Sequence, residues 1–104
     1  MLAAADFDPE LIYEVHGSIH HLQCLQPCSG SVWPGEPISV AVDIDTMRAT
    51  SPLPECDGCG GVARPNILMF GDFSYVPTRQ EEQGLCFQSF LANVGADPLA
   101  IVEL

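Results

Sequence analysis

The sequence predicts an α/β fold in which buried parallel strands and one helix are combined with a small cysteine-rich module. Two short apolar runs, 66–70 (NILMF) and 98–104 (PLAIVEL), have the composition of strands buried on both faces. The segment 78–95 carries the start and stop signals of a helix. Two closely spaced cysteine pairs lie in the loop-rich sequence that precedes these elements, which indicates a separate metal-binding unit.

Composition limits the size and the partners of the protein. The 104 residues, of which 47% are hydrophobic, suit one small domain. Fourteen acidic residues face three arginines and no lysine, so the formal net charge at pH 7 is -11. Nucleic acid is not expected as a partner, because its phosphates would be repelled and few counterions would be released. A basic peptide would be attracted instead.

The sequence predicts no association with a membrane. No run approaches the roughly 20 apolar residues that span a bilayer. The first residues, MLAAADFD, lack the basic start and the long apolar stretch of a signal peptide, so we expect a cytoplasmic location. Five cysteines without export signals favour metal binding or free thiols over a disulfide framework.

The first half of the chain alternates between short extended segments and loops. Alternating apolar residues, β-branched composition and clusters of proline and glycine set the expected limits of these segments. Strands are expected at 11–15, 18–24 and 38–45, and loops at 27–37 and 47–55.

The helix predicted at 78–95 has recognisable ends. Thr78 and Glu81 have the spacing of a capping box, and Gly95 supplies the stop. One face of this helix is apolar and comprises Phe87, Phe90, Leu91 and Val94.

The cysteine pairs predict a tetrahedral metal site. Cys24 and Cys28 form a C-x3-C pair, and Cys56 and Cys59 form a C-x2-C pair followed by glycine. Four thiolates suit zinc, and backbone amides in a glycine-rich knuckle can turn toward the sulfur atoms. Iron in a rubredoxin-like site and unligated thiols are the alternatives. Since all four ligands come from the protein, the site is expected to be structural.

The remaining thiol and the histidines give weaker signals. Cys86 lies on the predicted helix, far from either pair, and is expected to be a small buried apolar residue. His16 follows a predicted strand and precedes a glycine, a place where an imidazole can face a cleft, although a lone histidine there is more often packed or solvated. His20 and His21 are adjacent, so they point to opposite sides of an extended strand and are not expected to bind the metal.

Read together, these segments resemble the sirtuin family of NAD-dependent protein deacylases. The resemblance is carried by YEVHGSIHHLQC at 13–24, by the two cysteine pairs, and by ARPNILMFGD at 63–72. In that family a strand leads to a His-Gly, a small zinc-binding module with two cysteine pairs follows, and an Arg-Pro strand ends in Phe-Gly-Glu. The order of these features matches from about Ile12 to Asp72.

The resemblance implies a fold more specific than the α/β class. The chain would be a fragment of a Rossmann-like parallel-sheet domain into which a small zinc-ribbon-like module is inserted. Residues 1–17 would form the edge of the large domain that carries His-Gly, and 18–64 the zinc-binding module. Residues 65–104 would supply the strand of the substrate cleft, a helix and a further strand of the incomplete large domain.

The resemblance also implies roles for individual residues. His16 would be the general base that accepts a proton from the ribose of NAD, a task suited to a side chain that titrates near neutral pH. Leu68, Phe70 and Gly71 would pair with the backbone of an acyl-lysine protein or peptide and line the acyl-lysine tunnel, a case of strand addition. Zinc would be structural, and NAD would be the co-substrate.

Three motifs of the family do not occur in these 104 residues. They are a Gly-Ala-Gly-x-Ser loop, a Gln-Asn-x-Asp motif and a Gly-Thr-Ser-like turn, so the residues that would bind NAD are unknown. We therefore expect the chain to correspond to the middle of such an enzyme and to be inactive alone. Two smaller departures are the extra residue in the first cysteine pair and Asp72 in place of glutamate. A non-catalytic zinc-ribbon module that binds another protein is the alternative, and an iron electron-transfer protein comes third.

Overall fold

A computed structural model of the chain describes residues 7–35, 40–95 and 98–102. After a 3-10 turn at Pro9–Leu11 come five short strands and one long helix. These are β1 (Gly17–Cys24), β2 (Val32–Pro34), β3 (Val42–Asp43), β4 (Arg48–Ala49), β5 (Ala63–Ile67) and α1 (Thr78–Val94). The α/β class is therefore confirmed.

The strands form two antiparallel sheets, a three-stranded sheet of order β2-β1-β5 and the pair β3-β4. In the larger sheet Leu22 lies opposite Trp33 on one side and Pro65 on the other. A register shift between Ser18 and Leu22 interrupts the β1-β5 ladder. The described residues thus contain no parallel sheet, since a parallel pair needs a crossover that returns the chain in the same direction.

The strand predicted at 11–15 is wrong. The Asp8 carboxylate accepts a hydrogen bond of 3.0 Å from the backbone amide of Glu10, and Pro9 occupies the first position of the 3-10 turn. The residues that follow the turn are irregular as far as the start of β1. The hydrogen bond and the fixed backbone angle of the Asp-Pro pair therefore favour a turn, although the alternating apolar pattern predicted a strand.

Most of the two apolar runs that predicted buried parallel strands is exposed, although the first run begins within β5, where Asn66 is buried. In the first run the ladder ends at Ile67, and Phe70 is fully exposed. Residues 98–102 form no strand, and Leu99 and Ile101 are exposed. Residues 103 and 104 lie outside the described part. An apolar run becomes a buried strand only where neighbours cover both of its faces, and the described residues provide no such neighbours here.

The remaining short segments agree with the predicted strands and loops only in part. Of the strand expected at 38–45, only Val42 and Asp43 pair, and 38–39 lie outside the described residues. Each expected loop contains a short strand, β2 in 27–37 and β4 in 47–55. The strand expected at 18–24 is confirmed as most of β1.

The predicted helix is confirmed, whereas its capping box is wrong. Pro77 is the N-cap residue, and the backbone amide of Glu81 donates a hydrogen bond of 2.8 Å to the Pro77 carbonyl. The Thr78 hydroxyl donates to the Gly30 carbonyl at 2.8 Å, so it joins the helix to a distant loop. Gly95, with φ 57°, ends the helix as predicted.

Helix α1 is attached to the segment before β1. Arg79 forms an ion pair with Glu14, whose amide donates to Gln83 Oε1 at 3.0 Å. The rings of Tyr13 and Phe87 lie 5.7 Å apart. The predicted apolar face is otherwise poorly covered, since Phe90 remains 47% exposed. Within the described residues, no helix has the length and apolarity needed to cross a membrane.

Candidate metal centre and cleft

The four predicted ligands converge on one point. The Sγ atoms of Cys24, Cys28, Cys56 and Cys59 all lie within 4.8 Å of one another, and we call this group the cysteine cluster. Cys24 Sγ and Cys59 Sγ are 3.6 Å apart, and Cys28 Sγ and Cys56 Sγ are 3.7 Å apart. With Zn–S bonds of about 2.3 Å, the edge of a tetrahedron is about 3.8 Å. The spacing of the sulfur atoms therefore fits a tetrahedral zinc ion.

A tight backbone turn presents the second cysteine pair. The amide of Gly60 donates to the Cys56 carbonyl at 2.7 Å, and the amide of Cys56 donates to the Gly61 carbonyl at 2.7 Å. Gly60 has φ 70°, a conformation that glycine adopts without a steric cost. The amide of Leu25 donates to the Val62 carbonyl at 2.9 Å and so ties this turn to the end of β1.

Burial and neighbouring groups shift the pKa values of three thiols of the cysteine cluster. The backbone amide of Gly58 lowers the pKa of Cys56 to about 7. Hydrogen bonding to Cys56 raises the pKa of Cys28 to about 12, and burial raises the pKa of Cys24. Cys24 and Cys28 therefore favour their protonated forms in the absence of a metal ion, and a divalent cation would have to displace these protons.

The other candidate ligands lie apart. Cys86 is not among the cysteine cluster residues and is exposed on α1, so the prediction that it is buried was wrong. The reason is that the apolar face of α1 is poorly covered. His20 is exposed and His21 is half-buried on β1, and neither belongs to the cysteine cluster. Burial lowers the pKa of His21.

The residues predicted for catalysis and substrate binding share one open cleft, defined here as His16 together with 68–73. This concavity has a volume of about 760 Å³, and His16, Leu68, Phe70 and Gly71 all line it. The amide of Leu68 donates to the His16 carbonyl at 2.9 Å, which brings the two walls together. The structure therefore places His16 beside the three residues of 68–71 for which the resemblance implies substrate binding.

One wall of the cleft is a turn with exposed aromatic rings. Phe70 and Phe73 are fully exposed, and Gly71 has φ 69°. The amide of Asp72 donates to the Met69 carbonyl at 3.2 Å and closes the turn. These rings are available to an apolar ligand.

An ion pair fixes the base of this wall. Arg64 Nη2 lies 2.7 Å from Asp72 Oδ2, and both side chains are largely buried, with exposures of 13% and 9%. The Arg64 guanidinium holds the pKa of Asp72 below its usual range. The aspartate that stands where the family has glutamate is therefore bound to a residue of β5.

Two buried amides were missed by the sequence analysis. Gln23 and Asn66 have no solvent exposure, and Asn66 Nδ2 donates to Gln23 Oε1 at 2.9 Å. Both residues lie in segments that were predicted to be strands, but a polar residue in a strand ordinarily faces solvent. No local signal distinguishes a buried glutamine from an exposed one.

Comparison with known proteins finds related sequences over part of the chain. No protein-family model matches the chain. It is 36% identical over 61 residues to "NAD-dependent protein deacetylase 2" of Caldanaerobacter subterraneus, covering 59% of this chain and 22% of the relative. It is 30% identical over 60 residues to an NAD-dependent protein deacetylase of Clostridium acetobutylicum, covering 57% and 20%. It is 33% identical over 70 residues to "NAD-dependent protein deacetylase SIR2rp1" of Leishmania major, covering 66% and 16%.

The similarity therefore covers about a fifth of the length of these relatives. All three are named as NAD-dependent protein deacetylases, and the predicted resemblance to the sirtuin family is confirmed.

Proposed function

We propose that these residues form the central part of a sirtuin-type NAD-dependent protein lysine deacylase. Residues 1–17 would carry the catalytic histidine at the edge of a Rossmann-like domain, 18–64 would form a zinc-binding module, and 65–104 would return to the large domain. The similarity to the three deacetylases supports this assignment.

The observation that carries the proposal is the shared cleft of His16 and the 68–73 wall. His16 lies at the turn before β1, and the wall follows β5, the neighbour of β1 in the sheet. Adjacent strands therefore bring an imidazole and an apolar surface to the same cleft. A deacylase needs both, because it must move a proton beside a neutral acyl-lysine side chain.

NAD, as co-substrate, would supply the ADP-ribose whose hydroxyl receives the acyl group, with nicotinamide as the leaving group. His16 would accept a proton from a ribose hydroxyl at the exposed mouth of the cleft. Phe70 would shield the acyl chain from water, since its ring is free to cover a ligand. Leu68 and Gly71 would offer backbone to an extended peptide.

The cysteine cluster lies away from the cleft and would support it structurally. Cys24 ends β1 and His16 precedes that strand, so they are separated by about 25 Å of extended backbone. The second cysteine pair precedes β5 in the same way. A zinc ion would hold together the far ends of the two strands that carry the cleft, a structural task that leaves no open coordination position.

An assay of acyl transfer tests the proposal. NAD-dependent removal of acetyl groups from an acetyl-lysine peptide is measured in the protein that carries these residues, with and without His16→Ala. We expect turnover to fall by at least about a hundredfold, since a general base contributes about 10² to 10⁴. His20→Ala is the matched control, because His20 is exposed on β1 and does not line the cleft.

Unchanged turnover in the His16→Ala protein would exclude His16 as the base. Calorimetry with NAD separates the enzyme from the non-catalytic zinc-ribbon module, which predicts no heat at millimolar NAD. Elemental analysis and an absorption spectrum identify the metal, because zinc is colourless and an iron–thiolate site is not.

A further inference from the structure

Gln23 and Asn66 lie between the cysteine cluster and the cleft. Gln23 immediately precedes the proposed ligand Cys24. The NH2 group and the carbonyl oxygen of its side-chain amide both form their full number of hydrogen bonds. Its Nε2 donates to Ser74 O at 2.6 Å and to Cys24 O at 3.2 Å. Its Oε1 accepts from Asn66 Nδ2 at 2.9 Å and from the Val76 amide at 3.0 Å. An amide side chain offers two donors and two acceptor positions, so none of this capacity remains for water.

Asn66 completes the connection from the other strand. Its Nδ2 also donates to Val76 O at 2.9 Å. The backbone of Ser74 and Val76 is therefore held by side chains of β1 and β5, in place of a strand ladder. Both amides are completely buried, where a lost hydrogen bond costs more than at the surface.

The segment held in this way, 74–78, connects the cleft wall to α1. Ser74 directly follows Phe73, the last residue of the wall. At the other end, Thr78 donates to Gly30 O at 2.8 Å, two residues beyond the ligand Cys28. The segment is thus hydrogen-bonded to Gln23, which is next to Cys24, and to Gly30, which is two residues from Cys28.

We propose that Gln23 and Asn66 are positioning residues that couple the cysteine cluster to the shape of the cleft. When the cysteine cluster holds a metal ion, the end of β1 is fixed, Gln23 is fixed with it, and the wall is anchored at Ser74 and Val76. Without the ion, the end of β1 relaxes and the wall loosens. The role in substrate positioning rests on the proposed function, whereas the coupling itself does not.

Amide hydrogen exchange measured by NMR on the chain tests the coupling without NAD or a peptide. The informative amide is that of Asp72, which donates to Met69 O inside the wall and makes no bond to Gln23. We expect it to exchange about tenfold faster in Gln23→Met than in the wild type, both zinc-loaded. Zinc removal from the wild type by a chelator should give a similar increase. Interior amides of α1 should keep their rates.

The matched control is Gln88→Met, an equivalent change at an exposed position of α1. If Gln23→Met does not fold, Asn66→Asp and the wild-type chelation experiment decide the question. An Asp72 amide that exchanges at the same rate in all samples overturns the proposal. An equal acceleration of the α1 amides also overturns it, since that would show global destabilisation.

A kinetic measurement then addresses positioning. In the deacylation assay, Gln23→Met should raise KM for the peptide several-fold more than it lowers kcat, because His16 is untouched. A lower kcat with unchanged KM would contradict a role in holding the substrate wall. Loss of the proposed activity in every variant and in the wild type would refute the function and leave the exchange result valid.

Discussion

Gly17 shows how one residue permits the cleft to form. It has φ 79°, and a Cβ atom at this position would lie 2.0 Å from the Asn66 carbonyl oxygen. The close approach of these two backbones places His16 beside Leu68. A side chain at position 17 would therefore separate the strands that bring the two walls of the cleft together.

We predict that Gly17→Ala destabilises the protein by roughly 2–4 kcal/mol, because the backbone conformation and the clash both oppose it. Chemical denaturation of the zinc-loaded protein measures the change. Gly95→Ala is the control, since Gly95 also has positive φ but open space around it, and it should cost about 1 kcal/mol. Equal losses in the two variants would rule out a contribution from the clash.

The ion pair of Arg64 and Asp72 predicts a pH dependence. The pKa of Asp72 is lowered in the folded protein, so its charged form stabilises the fold above the unfolded pKa near 4. This stabilisation is lost as the pH falls from about 4 through the lower folded pKa. Asp72→Asn should therefore be less stable than the wild type at neutral pH, and the difference should shrink in acid.

Thermal unfolding of the two proteins between neutral pH and about pH 3 measures this difference. Asp45→Asn is the control, because Asp45 is exposed and forms no ion pair among the described residues. A stability difference between Asp72→Asn and the wild type that is constant with pH would contradict the assignment.

Among the elements, β1 links the two functional regions. It begins beside His16, ends at Cys24 of the cysteine cluster, and pairs with both other strands of its sheet. Much of its buried surface is polar, because Ser18 and Gln23 are buried as well as Leu22. A small core of this kind gains little from apolar burial, so a metal ion at the end of the strand would carry much of the stability.

Removal of a ligand should show this dependence. We predict one zinc ion per chain in the wild type, and loss of stoichiometric zinc in Cys56→Ser together with a destabilisation of several kcal/mol, on the order expected for a structural zinc site. Elemental analysis and chemical denaturation measure the two effects. Cys86→Ser is the matched control, because Cys86 is exposed and outside the cysteine cluster. Equal zinc loss in both variants would contradict the four-ligand assignment.

Across the molecule as a whole, charge and exposed apolar surface indicate which peptides the proposed cleft would favour. The net charge of -11 attracts positive peptides, while Phe70 and Phe73 offer exposed rings at the cleft. These features favour a peptide with an apolar group at its centre and basic residues around it. An acyl-lysine flanked by arginine or lysine has this character.

We predict that an acetyl-lysine peptide with flanking arginines associates faster than one with flanking glutamates. Its association rate should fall as salt rises, because salt screens the attraction between opposite charges. Stopped-flow fluorescence with labelled peptides measures both rates, and the glutamate peptide serves as the control. Rates that are independent of salt for both peptides would show that the net charge does not steer binding.

Local sequence signals were enough to predict the helix and the grouping of the four cysteines, whereas the cleft residues were expected from the resemblance to the sirtuin family. Cysteine spacing, the run of helix-forming residues before Gly95, and the His-Gly and Phe-Gly-Asp segments each depend on neighbours along the chain. Such signals can be read from the sequence because a tight turn or a helix is formed by residues that are close in sequence.

The pairing of strands and the burial of side chains were decided by tertiary structure. The sheets are antiparallel and most of the apolar runs after Asn66 is exposed, although local composition indicated the opposite in both cases. No local signal indicated that Gln23 is buried. Whether a strand is covered, and whether an amide finds partners away from water, depends on segments distant in sequence. Gln23 and Ser74 lie 51 positions apart, and only the fold brings them within hydrogen-bonding distance.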